Sequence, residues 1–170
     1  SLKFFGIIFL LVSFFHAFLF RENIGLYNFL FVVLICIFTD LGGYLFGKIF
    51  KGPKLTKISP NKTYVGAFGS FVCSLIIGLL MLNNFPISFT TLAEEEIYSG
   101  FNIKTQLFYL VLILSISLTS QIGDLIISYF KRLTKIKDTG KIIPGHGGLL
   151  DRIDGLIFVI PVFYIYFKLI

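Results

Sequence analysis

The sequence contains little charge. Only 14% of its 170 residues are Asp, Glu, Lys or Arg and 56% are hydrophobic, whereas a typical soluble domain is roughly 25% charged and 45 to 50% apolar. This composition excludes an ordinary water-soluble domain. Alternation with a period of two, the pattern of a membrane β-barrel, is also absent. The apolar residues instead form runs close to the ~20 residues that a helix needs to cross a bilayer, so the sequence predicts an all-α, polytopic transmembrane helical bundle.

Three further absences narrow the function. The two cysteines, Cys36 and Cys73, lie singly in apolar runs with no CxxC spacing, so they are interpreted as small packing residues rather than thiolate ligands. A net charge of +6 comes with no nucleic-acid-binding module, which argues against a nucleic-acid partner. The chain shows no internal repeat of the kind that transporter halves often have. His16 stands alone in an apolar run and is interpreted as structural.

The apolar runs predict five membrane-spanning helices. Their residue ranges are 4–20, 24–46, 64–82, 107–130 and 155–170. Two polar loops, residues 47–63 and 131–154, contain eleven of the fifteen Lys and Arg residues. Because two spans separate these loops, both lie on one side of the membrane. The tendency of Lys and Arg to remain in the cytoplasm makes that side cytoplasmic.

The acidic residues divide by type between the two sides. All four glutamates lie in loops that are predicted to face outside. All five aspartates lie at or near the cytoplasmic face: Asp40, Asp124, Asp138, Asp151 and Asp154. Asp40 and Asp124 fall within apolar runs, where an ionised carboxylate costs at least ~2.5–3.5 kcal/mol unless it is paired or hydrated. This placement predicts a functional site, either of a phosphate-handling enzyme or of an ion-coupled transporter or channel that binds a cation at Asp40 and Asp124.

Polar residues follow one face of the fourth predicted helix. Their spacing of i, i+3, i+4, i+7, i+11 and i+14 places them in one line on a helix of 3.6 residues per turn. They are Ser117, Ser120, Gln121, Asp124, Ser128 and Lys131. Such a line is either a seam of hydrogen bonds between helices or the wall of a water-filled cavity. The aspartate and the terminal Lys131-Arg132 pair favour the cavity wall.

The first polar loop ends in a helix-start pattern. Ser59 is a favourable N-cap and Pro60 is favoured at the first helical position. The pattern predicts that the third helix begins there, with free amides beside Lys62 and Thr63, an arrangement that can bind phosphate. Small residues then recur at every fourth position and predict close helix packing. They are Gly66, Ser70, Ser74 and Gly78.

The second polar loop is rich in charge of both signs. Its basic residues are suited to a polyanion, and its aspartates to a hard metal ion such as Mg²⁺. Asp151 and Asp154 share a helix face if a helix begins near Leu149. The His-Gly-Gly turn at residues 146–148 can present backbone amides to an anion. A surface loop with an Asp–Arg salt bridge is the alternative, but the density of charge favours a phosphate and metal site.

Several blocks of the sequence together resemble one protein family. Residues 128–154, which read SYFKRLTKIKDTGKIIPGHGGLLDRID, resemble the signature of phosphatidate cytidylyltransferases, also called CDP-diacylglycerol synthases. SPNKT at residues 59–63, followed by Gly66, resembles the family's SPxKTxEG element. SQIGDL at residues 120–125 resembles its SQxGDLxES element. Asp40, Tyr44 and a following Gly-Lys pair resemble a further intramembrane element, so the resemblance covers essentially the whole chain.

The resemblance implies a reaction and a site. The reaction is CTP plus phosphatidic acid giving CDP-diacylglycerol and pyrophosphate. The implied cofactor is Mg²⁺, with a second metal ion as an alternative, and its implied ligands are Asp124, Asp151 and Asp154. The implied catalytic residues are Asp124, Lys131, Arg132, Asp151 and Asp154. The implied substrate-binding residues are Ser59, Lys62, Thr63, Ser128, Lys137, Asp138, His146, Gly147, Gly148 and Arg152.

The implied substrates also suggest where the protein acts. CTP is soluble and arrives from the cytoplasm, whereas phosphatidic acid stays among the membrane lipids, so the site has to be open to both. The resemblance therefore implies an integral protein of the cell (inner) membrane whose active site faces the cytoplasm. A homodimer is compatible with it.

The chain departs from the family pattern in two respects. Val65 and Ile127 stand where the family usually has acidic residues, which removes two carboxylates from the neighbourhood of the site. Family members also commonly have more than five spans and this chain begins at Ser1, so residues 1–170 are expected to form a single membrane domain that is the C-terminal portion of the usual length. CDP-alcohol transferases also bind metal through aspartates, but their longer aspartate spacing is not present.

Overall fold

The computed structural model describes residues 2–56, 59, 62–89, 103–133 and 150–169, with residues 2–5 and 150–152 described by their backbone only. These residues form five helices and, within the described ranges, no strand. The helices are α1 (Leu2–Ile24), α2 (Leu26–Phe50), α3 (Tyr64–Asn84), α4 (Ile103–Leu133) and α5 (Leu150–Leu169). The prediction of an all-α protein is confirmed.

Each predicted membrane segment lies within or largely within one helix. Four helices are long and apolar enough to cross a membrane: Gly6–Ile24 of α1, and α2, α3 and α4 over their full lengths. The fifth predicted segment is a helix of 20 residues, α5, with Pro161 inside it. The helices extend beyond the apolar runs into the polar segments. Helix α4 continues to Leu133, and α5 already includes Asp154.

Two backbone positions end the first two helices. Gly25 separates α1 from α2 with a φ of +101°, a conformation that glycine adopts without steric cost. Lys51 follows α2 in the left-handed conformation, and its N–H donates to the carbonyl of Gly47 at 3.2 Å. The turn that follows leads the chain back towards α3, which packs along α2.

The five helices share an apolar half and a polar half. The apolar half lies towards the α1–α2 junction. The side chains at its centre come from α1, α2, α4 and α5. Its fully buried members are Phe20, Phe31, Ile35, Ile113, Ile116 and Val159. Cys36 is buried in the same cluster, as its interpretation as a packing residue predicts. The polar half therefore lies at the other end, where α2 and α4 finish and α3 and α5 begin.

Helices α2 and α3 meet through small residues. A Cβ atom added to Gly42 would lie 2.6 Å from the carbonyl oxygen of Gly69, and one added to Gly66 would lie 2.7 Å from that of Gly43. The Ser70 hydroxyl donates to the Thr39 carbonyl at 2.7 Å across the same interface. The close packing that the small-residue pattern of α3 predicts is confirmed.

Replacing Gly42 with alanine is expected to destabilise the bundle. The new methyl group would meet the Gly69 backbone oxygen and the Cys73 side chain, and overpacking of this kind costs ~1–3 kcal/mol. Gly6→Ala is the matched control because a Cβ there meets nothing within 4 Å. Thermal unfolding in detergent should show a lower midpoint for the Gly42 variant alone. Equal midpoints for the two variants would contradict the close α2–α3 contact.

Candidate active site

A cavity of about 250 Å³ lies in the polar half of the bundle. Its walls come from α2, from the segment that precedes α3, from the first turns of α3 and from α4. The lining residues are Thr39, Asp40, Gly43, Tyr44, Leu55, Ser59, Lys62, Thr63, Gly66, Ala67, Ser70, Gln121 and Asp124. Three of them, Ser59, Lys62 and Thr63, are predicted substrate-binding residues, and Asp124 is a predicted metal ligand.

A short antiparallel bridge builds the wall that precedes α3. Lys54 pairs with Thr63, the N–H of Leu55 donates to the Lys62 carbonyl at 2.7 Å, and the N–H of Tyr64 donates to the Pro53 carbonyl at 3.1 Å. This pairing holds the backbone around Lys62 extended and directs the lysine towards α4. The bridge therefore positions one of the cations of the cavity.

The predicted start of the third helix at Ser59 and Pro60 is wrong. Helix α3 begins at Tyr64, and Thr63 is its N-cap, with the Thr63 hydroxyl oxygen accepting from the N–H of Gly66 at 3.0 Å. The bridge to Lys54 requires Thr63 to be extended, so the helix cannot begin earlier. The Ser59 carbonyl instead accepts from the Lys62 N–H at 3.1 Å in a turn.

An ion pair joins the loop to α4 at the cavity. The Lys62 ammonium lies 2.9 Å from Asp124 Oδ2, and the two side chains are 29% and 18% exposed. The other carboxylate oxygen, Asp124 Oδ1, is buried and has no hydrogen-bond partner among the described residues. A buried acceptor without a partner is unfavourable, so this oxygen is suited to a cation or donor from beyond the described residues.

Two more carboxylates approach Asp124. Asp154, at the start of α5, interacts with the Asp124 carboxyl group, and its Oδ2 lies 3.5 Å from the Lys131 ammonium. Asp40 of α2 is close enough to interact with both Asp124 and Lys62. Like charges this close repel one another unless a cation lies nearby. The arrangement therefore favours the binding of positive charge, which Lys62 and Lys131 supply among the described residues.

The described residues supply some of the ligands that a metal ion would need, but not a complete set. No group of three or more His, Cys, Asp or Glu side chains among them is close enough to hold one. The predicted ligand set of Asp124, Asp151 and Asp154 includes Asp151, whose side chain lies outside the described part, so that set stays a prediction. The partnerless Asp124 Oδ1 and the adjoining Asp154 carboxyl are the observations that suit a hard cation.

The polar line on α4 has two parts. Ser117 is fully buried and accepts from the Thr39 hydroxyl at 3.0 Å, and Ser120 is fully buried against Gly155. The prediction of a cavity wall is wrong for these two serines, because α2 and α5 pack directly onto them. It is confirmed for Gln121 and Asp124, which line the cavity.

The remaining predicted residues lie beside the cavity or outside the described part. Ser128 is half-buried and Arg132 is exposed on α4, and neither lines the cavity. Val65 and Ile127, the positions of the missing acids, do not line it either. Val65 instead faces Gly52. Outside the described side chains lie Lys137, Asp138, His146, Gly147, Gly148, Asp151 and Arg152.

Several lining residues have no motif to identify them. Thr39, Leu55 and Ala67 line the cavity but carry no recognisable signal in the sequence, and Ser70 carries only the small-residue spacing of α3. Gly43 follows Asp40 at i+3 and therefore shares its helix face, so the spacing from an intramembrane carboxylate could have identified it.

Comparisons with known proteins agree with one another. A family described as the cytidylyltransferase family matches residues 1–170. Among curated proteins, a phosphatidate cytidylyltransferase of Staphylococcus saprophyticus is 42% identical over 81% of this chain and 47% of its own length. One of Staphylococcus aureus (strain COL) is 44% identical, with the same two coverages. The chain thus spans about half the length of these relatives.

Proposed function

This chain belongs to the cytidylyltransferase family, and we propose that it transfers the cytidylyl group of CTP to phosphatidic acid, giving CDP-diacylglycerol and pyrophosphate. The proposal follows the names of its relatives, which are phosphatidate cytidylyltransferases. The observation that carries it is the pairing of Lys62 with Asp124 at the cavity, with Asp154 from a third segment beside the Asp124 carboxyl group. Phosphate and metal chemistry need this combination of carboxylates and cations.

The reaction brings two anions together. A phosphate oxygen of phosphatidic acid attacks the α-phosphorus of CTP, and the bond from that phosphorus to the bridging oxygen of pyrophosphate breaks. Because the attacking phosphate is already anionic, no strong general base is required. The site has to hold both phosphates in line and to offset their repulsion, and positioning and electrostatics supply most of the catalysis of such transfers.

Asp124 and Asp154, together with Asp151, are the residues that would hold Mg²⁺. The bound ion would neutralise charge on the phosphates and on the leaving pyrophosphate. The chain's own part is to fix the carboxylates: the interaction with Lys62 orients Asp124, and that with Lys131 orients Asp154. Asp138 and Asp40 are the alternative candidates for a ligand of the metal site, and a second metal ion is an alternative to a single one.

The basic residues would bind the phosphates. Lys62 would act as a point charge at the cavity, and Arg132 can form a bidentate contact from the end of α4. Lys131 holds Asp154 and lies beside the same carboxylates. The other predicted substrate-binding residues would complete the phosphate contacts: Ser59, Thr63, Ser128, Lys137, Gly147, Gly148 and Arg152. His146 would contact a phosphate or shape its turn.

The location of the cavity suits substrates from two phases. It lies near the ends of two apolar helices, α2 and α4, where a lipid headgroup and a soluble nucleotide can both approach. The Lys and Arg residues of the two polar loops support a cytoplasmic location for this end of the protein. We propose the cell membrane as its location.

The test is pyrophosphate release by the purified protein in liposomes. We expect release to require CTP, phosphatidic acid and Mg²⁺ together, and to match CDP-lipid formation one to one. The same liposomes loaded with a cation-sensitive dye separate the enzyme from an ion-coupled transporter. Cation flux without pyrophosphate release would reject the enzyme and favour the transporter.

Metal binding is expected to depend on Asp154. Asp154→Asn removes one charged ligand, so Mn²⁺, used as a probe for Mg²⁺, should bind about tenfold more weakly or worse, which is a loss of ~1.4 kcal/mol or more. Electron paramagnetic resonance of Mn²⁺ in titrations without nucleotide measures this directly. Glu22→Gln is the control, because Glu22 is exposed and pairs with Arg21 away from the cavity. Equal Mn²⁺ affinity in the two variants would reject the assignment.

A further inference from the structure

Gln121 carries a buried amide with no partner. Its Nε2 atom is buried and forms no hydrogen bond within the part of the chain that the structure describes, and the residue lines the cavity. An amide left in this state loses its hydrogen bonds to water without replacement. An acceptor atom of a ligand that enters the cavity can supply this missing hydrogen bond.

Asp40 lines the same cavity as Gln121. Its carboxylate accepts hydrogen bonds, whereas the Gln121 amide group donates them. Asp40 lies near Asp124, so a phosphate placed against it would meet two carboxylates. A neutral group that donates hydrogen bonds suits this position better. The cavity thus pairs an acceptor, Asp40, with a donor, Gln121.

Tyr44 adds an aromatic face to the same cavity. It lies one helical turn from Asp40 on α2, is 61% exposed and lines the cavity. Lys48 fixes the ring from the next turn: its ammonium donates to the Tyr44 hydroxyl at 3.3 Å and lies 5.4 Å from the ring centroid. An exposed, fixed aromatic ring beside a polar cavity is suited to stacking on a nucleobase.

We propose that the Asp40, Tyr44 and Gln121 side chains form the subsite for the cytosine ring of CTP. The Asp40 carboxylate accepts from the exocyclic amine of cytosine, a pairing that proteins use for this base. The Gln121 amide donates to the ring acceptors N3 or O2, and Tyr44 stacks on the ring face. The triphosphate then extends towards Lys62 and Asp124, which line the same cavity.

The volume of the cavity agrees with separate positions for the base and the triphosphate of CTP. Its volume of about 250 Å³ lies below the ~300–1,000 Å³ of sites that hold a whole drug-sized ligand, so it suits one end of CTP rather than all of it. Uracil carries an acceptor oxygen where cytosine has its amine, and that oxygen would face the Asp40 carboxylate. The subsite therefore selects CTP over UTP.

This inference rests on the proposed function, and its test compares CTP with UTP. We expect Asp40→Asn to lower the CTP-to-UTP ratio of kcat/KM by about tenfold or more, since a specific base contact is worth ~1–3 kcal/mol. The amide of the variant can donate to the uracil oxygen, so activity with UTP should fall less than with CTP. Glu22→Gln, the same change of carboxylate to amide outside the cavity, should leave the ratio unchanged.

Tyr44 provides a second, independent variant. Stacking does not depend on which base is present, so Tyr44→Ala should raise KM about tenfold for both nucleotides, the equivalent of ~1.4 kcal/mol. Tyr44→Phe keeps the ring and loses only the hydroxyl contact with Lys48, so it should recover most of that loss. An equal loss with CTP and UTP in Asp40→Asn would assign Asp40 to metal binding and overturn the subsite. An unchanged KM in Tyr44→Ala would also overturn it.

Equilibrium binding separates this inference from the proposed function. Titration of CTP and UTP against the detergent-solubilised protein and Asp40→Asn needs no turnover. If the parent protein binds CTP selectively but forms no CDP-lipid, the proposed reaction fails and the subsite stands. If the parent forms CDP-lipid and Asp40→Asn retains the full preference for CTP, the subsite fails and the reaction stands.

Discussion

Replacing Asp124 with asparagine is expected to lower CDP-diacylglycerol formation by about 10³-fold, because metal-centred charge stabilisation supplies several kcal/mol and each ~1.36 kcal/mol is a factor of ten in rate. Asp124 is the residue on which the proposed metal site depends. Its Oδ2 pairs with Lys62, its Oδ1 is buried without a described partner, and Asp154 adjoins it. The amide retains the shape of the side chain but removes its charge.

The matched control for this variant is Glu22→Gln. It makes the same chemical change at an exposed position that pairs with Arg21. Initial rates in liposomes, at saturating CTP and phosphatidic acid, should be unchanged in the control. Thermal unfolding of both variants establishes that the loss is not one of folding. An Asp124→Asn protein that folds and retains more than about a tenth of the parent rate would contradict the role of Asp124, since that loss equals only ~1.36 kcal/mol.

Lys62→Met is expected to produce the second largest effect. We expect kcat/KM for CTP to fall by about 10²-fold, the scale on which one preorganised donor to a developing charge contributes. The methionine keeps the length of the side chain but removes the ammonium that lies 2.9 Å from Asp124. Because the pair is largely buried, its loss also leaves Asp124 uncompensated, so unfolding has to be measured beside activity.

Lys54→Met provides the comparison within the same bridge. Lys54 pairs with Thr63 through its backbone, is exposed and does not line the cavity. Its variant should retain the parent kcat/KM, whereas Lys62→Arg should recover part of the activity that methionine loses. If both methionine variants lose activity equally, the effect comes from the charge of the loop as a whole rather than from Lys62.

The fold could be predicted because its main signal is local. A run of about 20 apolar residues has few alternatives to a membrane helix, and the small residues of α3 indicated close packing from their spacing alone. The ends of the helices were predicted less well. The hydropathy of the sequence falls where polar residues begin, whereas a helix can continue past that point. Helix α4 continues through Lys131 and Arg132 to Leu133, since polar side chains do not interrupt backbone hydrogen bonding.

The start of α3 shows what local patterns miss. Ser59 and Pro60 form a favourable helix start on their own, but the bridge between Lys54 and Thr63 keeps Thr63 extended as the N-cap. That bridge depends on the path of the chain after α2, which no local propensity contains. The polar line on α4 divides for the same reason, because Gly155 on another helix decides that Ser120 is buried.

The candidate site was predicted by its residue types rather than by its contacts. The free-energy cost of an ionised carboxylate within an apolar run identified Asp40 and Asp124. Both residues line the cavity. The pairing of Asp124 with Lys62 joins residues 62 positions apart. The spacing on α4 places Gln121 on the same helix face as Asp124 but indicates no function for it. These contacts depend on how four segments converge, which spacing within any single helix cannot specify.

The most direct measurement follows the two ends of CTP separately. The protein in liposomes containing phosphatidic acid is given CTP labelled at the α-phosphate in one reaction and at the γ-phosphate in another. We expect the α label in CDP-diacylglycerol and, in equal amount, the γ label in pyrophosphate. Transfer of the γ label to lipid or to orthophosphate, with no α label in lipid, would contradict cytidylyl transfer.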